Sequence, residues 1–139
     1  MKQQRKSVVK RIIVLNSLRR LAFKHAKKLQ LLGKICFIGL VLIISYIAFL
    51  PNYDKLPEFT SLSDVLNHFF AFFVLSIFLD LGFLPKVKQA FLLLFTYGFF
   101  IEAVQYFLPN RQFDLMDLGV DMFGVLVYYL ARRSLKKYQ

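Results

Sequence analysis

The stretch "VLNHFFAFFVLSIFLDLGFLPKVKQAFLLLFTYGFFIEAVQYFLP", residues 65 to 109, decides the fold. It contains two apolar runs, 65 to 84 and 89 to 109, and each is long enough to cross a bilayer core as a helix of about 20 residues. Pro85 and Pro109 stand at the ends of these runs, where a proline is tolerated. Only the segment "PKVK" at 85 to 88 separates them. The stretch therefore predicts a helical hairpin that crosses a membrane twice.

Two further apolar runs flank this hairpin. The run 31 to 50 ends at Pro51, and the run 113 to 131 is the least regular of the four because Asp117 and Asp121 interrupt it. Together the four runs predict an all-α protein, a four-helix transmembrane bundle.

The composition supports a membrane protein and excludes other classes. Apolar residues make up 58% of the 139 residues, and Phe alone occurs 17 times. A water-soluble domain of this size does not have the interior volume to bury so many large side chains. The single cysteine, Cys36, excludes an internal disulfide, and no His/Cys spacing is typical of a zinc site. We expect no cofactor and assign no metal ligands on this basis.

The net charge of +11 is concentrated at the N-terminus, because residues 1 to 34 hold eleven Lys or Arg and no Asp or Glu. With four spans, the basic segments 1 to 34, 85 to 88 and 132 to 137 all fall on one side. The positive-inside rule predicts that this side is the cytoplasm, so both termini are cytoplasmic. A cleaved signal peptide is the alternative for the first span, but the basic region is long and no A-x-A-like site follows it, which favours an uncleaved anchor.

The basic arm predicts an amphipathic helix at residues 18 to 32. One face of this helix is mostly apolar, and it carries Leu18, Leu21, Ala22, His25, Leu29 and Leu32. Basic side chains occupy the other face, so we expect the helix to lie on the inner leaflet and to bind anionic lipid headgroups. Nothing in the arm resembles a base-reading module, so nucleic acid is not an expected partner. The predicted divisions are a basic arm at 1–34, a transmembrane domain at 35–131 and a basic tail at 132–139.

Polar residues of the last three spans are predicted to converge on the outer half of the membrane. Counted from the helix ends, the candidates are Asp64, His68, Glu102, Gln105, Arg111, Asp117 and Asp121. Glu102 and Gln105 share a helix face because they are three residues apart, and so do Asp117 and Asp121, which are four apart. Charge in hydrocarbon costs several kcal/mol, so such groups face a bundle interior and find partners. The carboxylates among these candidates outnumber Arg111, the one residue with a permanent positive charge. Either one carboxyl group therefore stays protonated, or a cation enters the site.

Each candidate also has a structural interpretation. Arg111 is expected to fasten the turn between the last two spans, and His68 to bond the preceding loop. Asp80, near the cytoplasmic end, is expected to pair with Lys86 and Lys88. Glu102 and Asp121 have the weakest structural interpretation because they lie deepest in their spans.

The same polar residues carry a resemblance to a known family. The pattern comprises Asp64-x-x-x-His68, Glu102-x-x-Gln105, Pro109-x-Arg111, Asp117 and Gly124. It resembles the VanZ-like family of small bacterial integral membrane proteins, whose founding member is associated with teicoplanin resistance. The resemblance covers roughly residues 35 to 131 and implies a multi-pass protein of the bacterial inner membrane. Val65 stands where the family often has Lys, and Asp121 where it often has Asn, so this pocket is more acidic than the family pattern.

Several functions follow from this pocket. The leading hypothesis is an envelope protein that binds or modifies a lipid-linked or antibiotic ligand at the outer leaflet. The alternative is a membrane hydrolase or transferase in which His68 acts as acid or base beside Glu102, and Asp117 with Asp121 holds a divalent cation. Proton-coupled transport and a ligand-free scaffold remain as further classes. The sequence assigns no catalytic residue and predicts no oligomeric state.

Overall fold

The computed structural model of the chain is helical throughout the residues it describes. These are residues 2–50, 64–109 and 113–137, with side chains at 24–50, 65–109 and 113–135. The helices are α1 (Lys2–Ala48), α2 (Asp64–Phe83), α3 (Val87–Gln105) and α4 (Leu115–Lys137). The described ranges contain no strand. The all-α prediction is confirmed.

Three segments are long and apolar enough to cross a membrane, namely Lys24–Ala48, Val65–Phe83 and Val87–Gln105. They coincide with the first three predicted spans, and they support a membrane protein. The helix α4 has 23 residues, a length of about 34 Å. It is not among the three apolar segments, because it carries Asp117 and Asp121 in its first two turns and basic residues at its end. A fourth crossing by α4 stays a prediction.

The basic arm and the first span form one helix. α1 continues without a break for 47 residues from Lys2 to Ala48. The amphipathic segment predicted at 18 to 32 is therefore part of a longer helix. Lys24, Lys27 and Lys28 in this segment are exposed. Its contact with lipid headgroups stays a prediction.

The helix α2 is the centre of the bundle. Both α1 and α4 pack along it, and α3 packs mainly against α4. The buried core lies among α2, α3 and α4 and consists of Phe72, Leu75, Leu79, Ala90, Leu94, Val125 and Tyr129. The chain leaves α2 at Leu84, whose left-handed φ of 50° ends the helix just before Pro85.

Glycines allow the helices to touch backbone to backbone. A Cβ atom added to Gly33 of α1 would lie 2.7 Å from the backbone nitrogen of Gly82 in α2, and one added to Gly124 of α4 would lie 2.5 Å from the carbonyl oxygen of Phe69. Small residues permit such close crossings between membrane helices. The second crossing holds the first half of α4 against the start of α2.

The outer surface of the bundle is apolar. Large hydrophobic side chains point outward on every helix, including Leu42 of α1, which is 65% exposed, Leu92 of α3 (67%) and Leu130 of α4 (53%). A water-soluble monomer rarely exposes so large a contiguous apolar area. The distribution is that of a surface in contact with lipid.

The two ends of the bundle differ in their polar groups. At the end where α2 and α4 finish, Asp80 accepts a hydrogen bond from the Nε of Arg132 at 2.9 Å and one from the hydroxyl of Tyr128 at 2.8 Å. The expectation that Asp80 pairs with Lys86 and Lys88 was wrong, because the packing of α2 on α4 brings Arg132 closer. The exposed basic residues of α1, of the α2–α3 connection and of the end of α4 all lie at this end.

Candidate functional site

Four of the predicted polar side chains meet at the opposite end of the bundle, where α2 and α4 begin and α3 finishes. They are His68 of α2, Glu102 of α3, and Asp117 and Asp121 of α4. We call these four residues the acidic cluster. Glu102 and Asp121 are almost fully buried, with exposures of 0% and 1%. His68 and Asp117 are only partly exposed.

His68 connects the two aspartates of α4. Its Nδ1 atom lies 3.0 Å from Oδ1 of Asp121, which is hydrogen-bond distance, and its Nε2 atom lies 3.7 Å from Oδ2 of Asp117. Asp117 and Asp121 reach the same ring because residues four apart lie on one face of a helix. Which of the two atoms donates depends on the tautomer of the ring and on the protonation of Asp121. When Asp121 is ionised it only accepts hydrogen bonds, so the ring proton is then on Nδ1 and the lone pair of Nε2 lies on the side of Asp117.

Glu102 joins the end of α3 to the start of α4. Its Oε2 atom accepts a hydrogen bond from the backbone N–H of Asp114 at 2.9 Å. Asp114 in turn accepts the N–H of Met116 through Oδ1 at 2.7 Å, which caps α4. The Oε1 atom of Glu102 is buried and has no hydrogen-bond partner in the described part of the chain. A buried carboxylate oxygen without a donor is costly, so this atom needs a partner.

Gln105 contacts a different helix. Its side-chain amide donates a hydrogen bond to the carbonyl oxygen of Ala48 at 3.1 Å, where α1 ends. The last carbonyl groups of a helix have no partner within that helix, so the amide satisfies one of them. Gln105 thus ties α3 to α1.

Two of the predicted site residues cannot be placed in the cluster. Asp64 is the first residue of α2, but its side chain lies outside the described part of the structure. Arg111 also lies outside the described residues. Their membership of the site stays a prediction.

The family comparison confirms the resemblance that was seen in the sequence. A family model described as VanZ/LLP1 matches residues 2–136. The chain belongs to the VanZ/LLP1 family. The match includes all four helices and most of the basic arm, so it is longer than the range of 35 to 131 over which the sequence resemblance was seen. Neither curated proteins nor solved structures give a significant match.

Gly98 of this VanZ/LLP1 chain also shapes the site, although it was not predicted from the sequence. A Cβ atom added to Gly98 would lie 2.9 Å from Oδ2 of Asp121 and 3.0 Å from Leu118, so the missing side chain makes room for the buried aspartate. Gly98 is four residues before Glu102, and therefore on the same face of α3. That spacing was the signal that could have identified it.

Tyr97 of α3 makes a specific contact with α1. Its hydroxyl lies 3.0 Å from the carbonyl oxygen of Val41, to which it donates, and 3.0 Å from the hydroxyl of Ser45. The ring stacks on Phe72, which is buried. Tyr97 therefore holds α3 against α1 beside the acidic cluster.

The acidic cluster of this VanZ/LLP1 protein combines basic and acidic groups in an apolar setting. An imidazole and three carboxylates lie above buried side chains such as Phe72 and Leu118. In such surroundings the electrostatic interaction of two charges is far stronger than in water. The cluster can accept a proton, a cation, or hydrogen-bond donors of a ligand.

Proposed function

We propose that this VanZ/LLP1 chain is a four-span protein of the bacterial inner membrane, in which the acidic cluster lines a pocket in the outer half of the bilayer and binds or modifies a lipid-linked or antibiotic ligand. One observation carries the proposal. Polar side chains from three different helices meet at the end of the bundle that lies away from the basic segments.

The orientation follows from the charge distribution. Basic residues near the ends of spans stay on the cytoplasmic side. The segments 24 to 34, 86 to 88 and 132 to 137 share one end of the bundle. If that end is cytoplasmic, both termini are inside and the acidic cluster faces the outer leaflet. The lysines of α1 would then meet anionic headgroups of the inner leaflet.

A ligand explains the cluster better than packing does. Replacing a buried polar group by an apolar side chain of similar volume is often neutral or stabilising, so packing alone does not require charged residues. Among the described residues the buried Oε1 atom of Glu102 has no hydrogen-bond partner, and one carboxylate oxygen of Glu102 lies close to His68 and Asp117. A lipid-linked ligand can enter from the bilayer and present its polar group to these side chains. We expect such a ligand to be cationic or rich in hydrogen-bond donors, or to be bridged by a cation.

A growth assay tests the proposal. The chain and its variants Glu102→Ala and Asp121→Ala would be produced in a susceptible Gram-positive host, and the minimal inhibitory concentration of teicoplanin measured at equal membrane levels of protein. We expect the unmodified chain to raise this concentration and both variants to lose the effect. Thr96→Ala is the matched control, because Thr96 is exposed on α3 and its hydroxyl bonds only the carbonyl of Leu92 within the same helix.

The outcomes separate the parts of the proposal. Equal protection by the unmodified chain and by both cluster variants would remove the cluster from the function. No protection by any form would remove the antibiotic ligand, and binding of a lipid-linked cell-wall precursor to the protein in nanodiscs would then be the deciding measurement. Fusion of alkaline phosphatase or green fluorescent protein after Lys137 tests the orientation, because the phosphatase is active only outside and the fluorescent protein only inside.

One feature favours the hydrolase or transferase alternative. The contact of Asp121 with Nδ1 of His68 orients the ring as a general base. The ring could then activate a water molecule for attack on a lipid-linked phosphoester. Thin-layer chromatography of a labelled lipid-linked pyrophosphate, incubated with the protein and with a His68→Gln variant, would detect turnover. Unchanged substrate with the unmodified protein would refute this alternative for that substrate.

A further inference from the structure

Three helices each contribute one potential metal ligand to the acidic cluster. A ring nitrogen of His68 in α2, a carboxylate oxygen of Glu102 in α3 and a carboxylate oxygen of Asp117 in α4 all lie within 4.8 Å of one another. Helix packing rather than loop geometry sets these positions. The arrangement is therefore a preformed part of the bundle.

The spacing of His68 and Asp117 suits a shared ion. Their Nε2 and Oδ2 atoms are 3.7 Å apart, which is too long for a hydrogen bond between them. Zinc binds nitrogen and oxygen ligands at about 2.0–2.2 Å, so two ligands of one tetrahedral ion lie about 3.4 Å apart. A small movement brings the two atoms to that distance.

Asp121 orients His68 as a metal ligand. Its Oδ1 atom holds Nδ1 of the ring at 3.0 Å and is itself buried. A metal-ligating histidine almost always donates its other ring N–H to a carboxylate or carbonyl, which fixes the tautomer and the ring orientation. In the alternative predicted from the sequence, Asp117 and Asp121 together hold the divalent cation. The geometry gives Asp121 the role of positioning residue and Glu102 that of ligand.

The side chain of Glu102 gives independent evidence that an ion binds in the acidic cluster. This side chain has an exposure of 0%, its Oε2 atom receives one neutral backbone N–H, and its Oε1 atom receives no hydrogen bond from the residues that the structure describes. A backbone N–H does not compensate a full negative charge in an apolar environment. A divalent ion beside Glu102 supplies both the missing partner and the missing charge.

We propose that His68, Glu102 and Asp117 bind one zinc ion, with Asp121 positioning His68. Mixed nitrogen and oxygen ligands suit zinc better than calcium or magnesium, which prefer all-oxygen sites. Three protein ligands leave one position of a tetrahedral ion for a water molecule or for an anionic oxygen of a ligand, such as a phosphate. The zinc site deepens the proposed function. It rests on that function in one respect, namely that the ion binds the polar group of the lipid-linked or antibiotic ligand.

Zinc titration of the purified full-length protein tests the site. After treatment with a chelator, the protein in nanodiscs is titrated with zinc in competition with a zinc-binding dye, and bound metal is counted by mass spectrometry. We expect one zinc per chain. Affinity should fall at least a hundredfold in His68→Gln, Glu102→Gln and Asp117→Asn, and about ten- to a hundredfold in Asp121→Asn.

His25→Gln is the matched control, because the chain has two histidines and His25, the one outside the cluster, is exposed on α1. It should bind one zinc with unchanged affinity. Cobalt gives a second readout, since a tetrahedral cobalt site absorbs visible light strongly, and each folded variant is checked by its elution as a single species.

Several results would overturn the inference: no zinc in the unmodified protein, equal affinity in His68→Gln, or loss of binding in His25→Gln. The zinc titration and the teicoplanin assay test different claims, so either one can fail while the other succeeds. If the protein binds zinc but does not protect against teicoplanin, the zinc site is confirmed and the antibiotic function is wrong. If the variants that bind no zinc still protect against teicoplanin, the zinc site is not needed for that function.

Discussion

The crossing of α2 and α4 at Gly124 should tolerate no side chain. An alanine at this position would put its Cβ atom 2.5 Å from the carbonyl oxygen of Phe69 and 3.2 Å from the backbone nitrogen of Phe73. Carbon and carbonyl oxygen normally approach no closer than about 3.3 Å, so the helices must separate by about 0.8 Å. Both obstructing atoms belong to the backbone and cannot rotate away. Overpacking of this kind costs about 1–3 kcal/mol.

The matched control is Gly119→Ala on the same helix. A Cβ atom at Gly119 has nothing within 4 Å. Both substitutions replace a helical glycine by alanine, which favours the helix by about 1 kcal/mol. The difference between the two variants therefore isolates the clash at Gly124. We expect Gly119→Ala to be as stable as the unmodified protein or more stable, and Gly124→Ala to be less stable than Gly119→Ala by about 1–3 kcal/mol.

The assay uses the only cysteine of the chain as its probe. Cys36 is partly buried on α1, so a thiol-reactive fluorophore reports its exposure when the bundle opens on heating in detergent. Equal unfolding midpoints for Gly124→Ala and Gly119→Ala would refute the close crossing. Because Phe69 directly follows His68, the clash should also move His68 away from Asp121 and weaken zinc binding.

Two further predictions concern polar contacts between helices. Gln105→Leu leaves the carbonyl of Ala48 without its donor and should lower stability by about 1–3 kcal/mol; an unchanged unfolding midpoint would contradict this role. Arg132→Met leaves the buried carboxylate of Asp80 without its cation and should cost about 3–5 kcal/mol. The double variant Arg132→Met, Asp80→Leu should recover most of that loss, and failure to recover would mean that Arg132 acts through contacts other than Asp80.

The apolar helices could be predicted from sequence because bilayer thickness sets their length. The first three predicted spans match three apolar helices, and Pro85 lies between α2 and α3 as expected. The depth of each polar residue along its span could also be predicted, because each residue advances a helix by about 1.5 Å. This is why Glu102, Asp117 and His68 were expected at a common end of the bundle, where the structure has them.

The partners of each residue could not be predicted, because helix register does not tell which neighbour a face meets. Gln105 and Glu102 are three residues apart and were expected to share a site. Three residues correspond to a rotation of about 300°, so the two side chains point about 60° apart. Glu102 reaches the start of α4, whereas Gln105 reaches Ala48 in α1. A difference of this size is enough to face different helices.

The same limit explains Asp80. Lys86 and Lys88 are close in sequence, but the actual partner, Arg132, is 52 residues away and is brought near by the crossing of α2 and α4. Only knowledge of which helices pack together would have identified it.

The two polar ends of the α2–α4 interface support different roles. At one end, the Oδ2 atom of Asp80 lies beside a guanidinium and a phenol, so Arg132 compensates its charge, although its Oδ1 atom has no hydrogen-bond partner among the described residues. At the other end, the described residues give Glu102 a single neutral N–H, and Glu102 lies beside Asp117 and His68. Both ends occur in one bundle and face the same apolar surroundings, so membrane burial alone does not explain the difference. An interface that only joins helices is expected to pair its charges, as Asp80 is paired with Arg132. The proposed cation would give Glu102 the pairing that its own end of the interface lacks among the described residues.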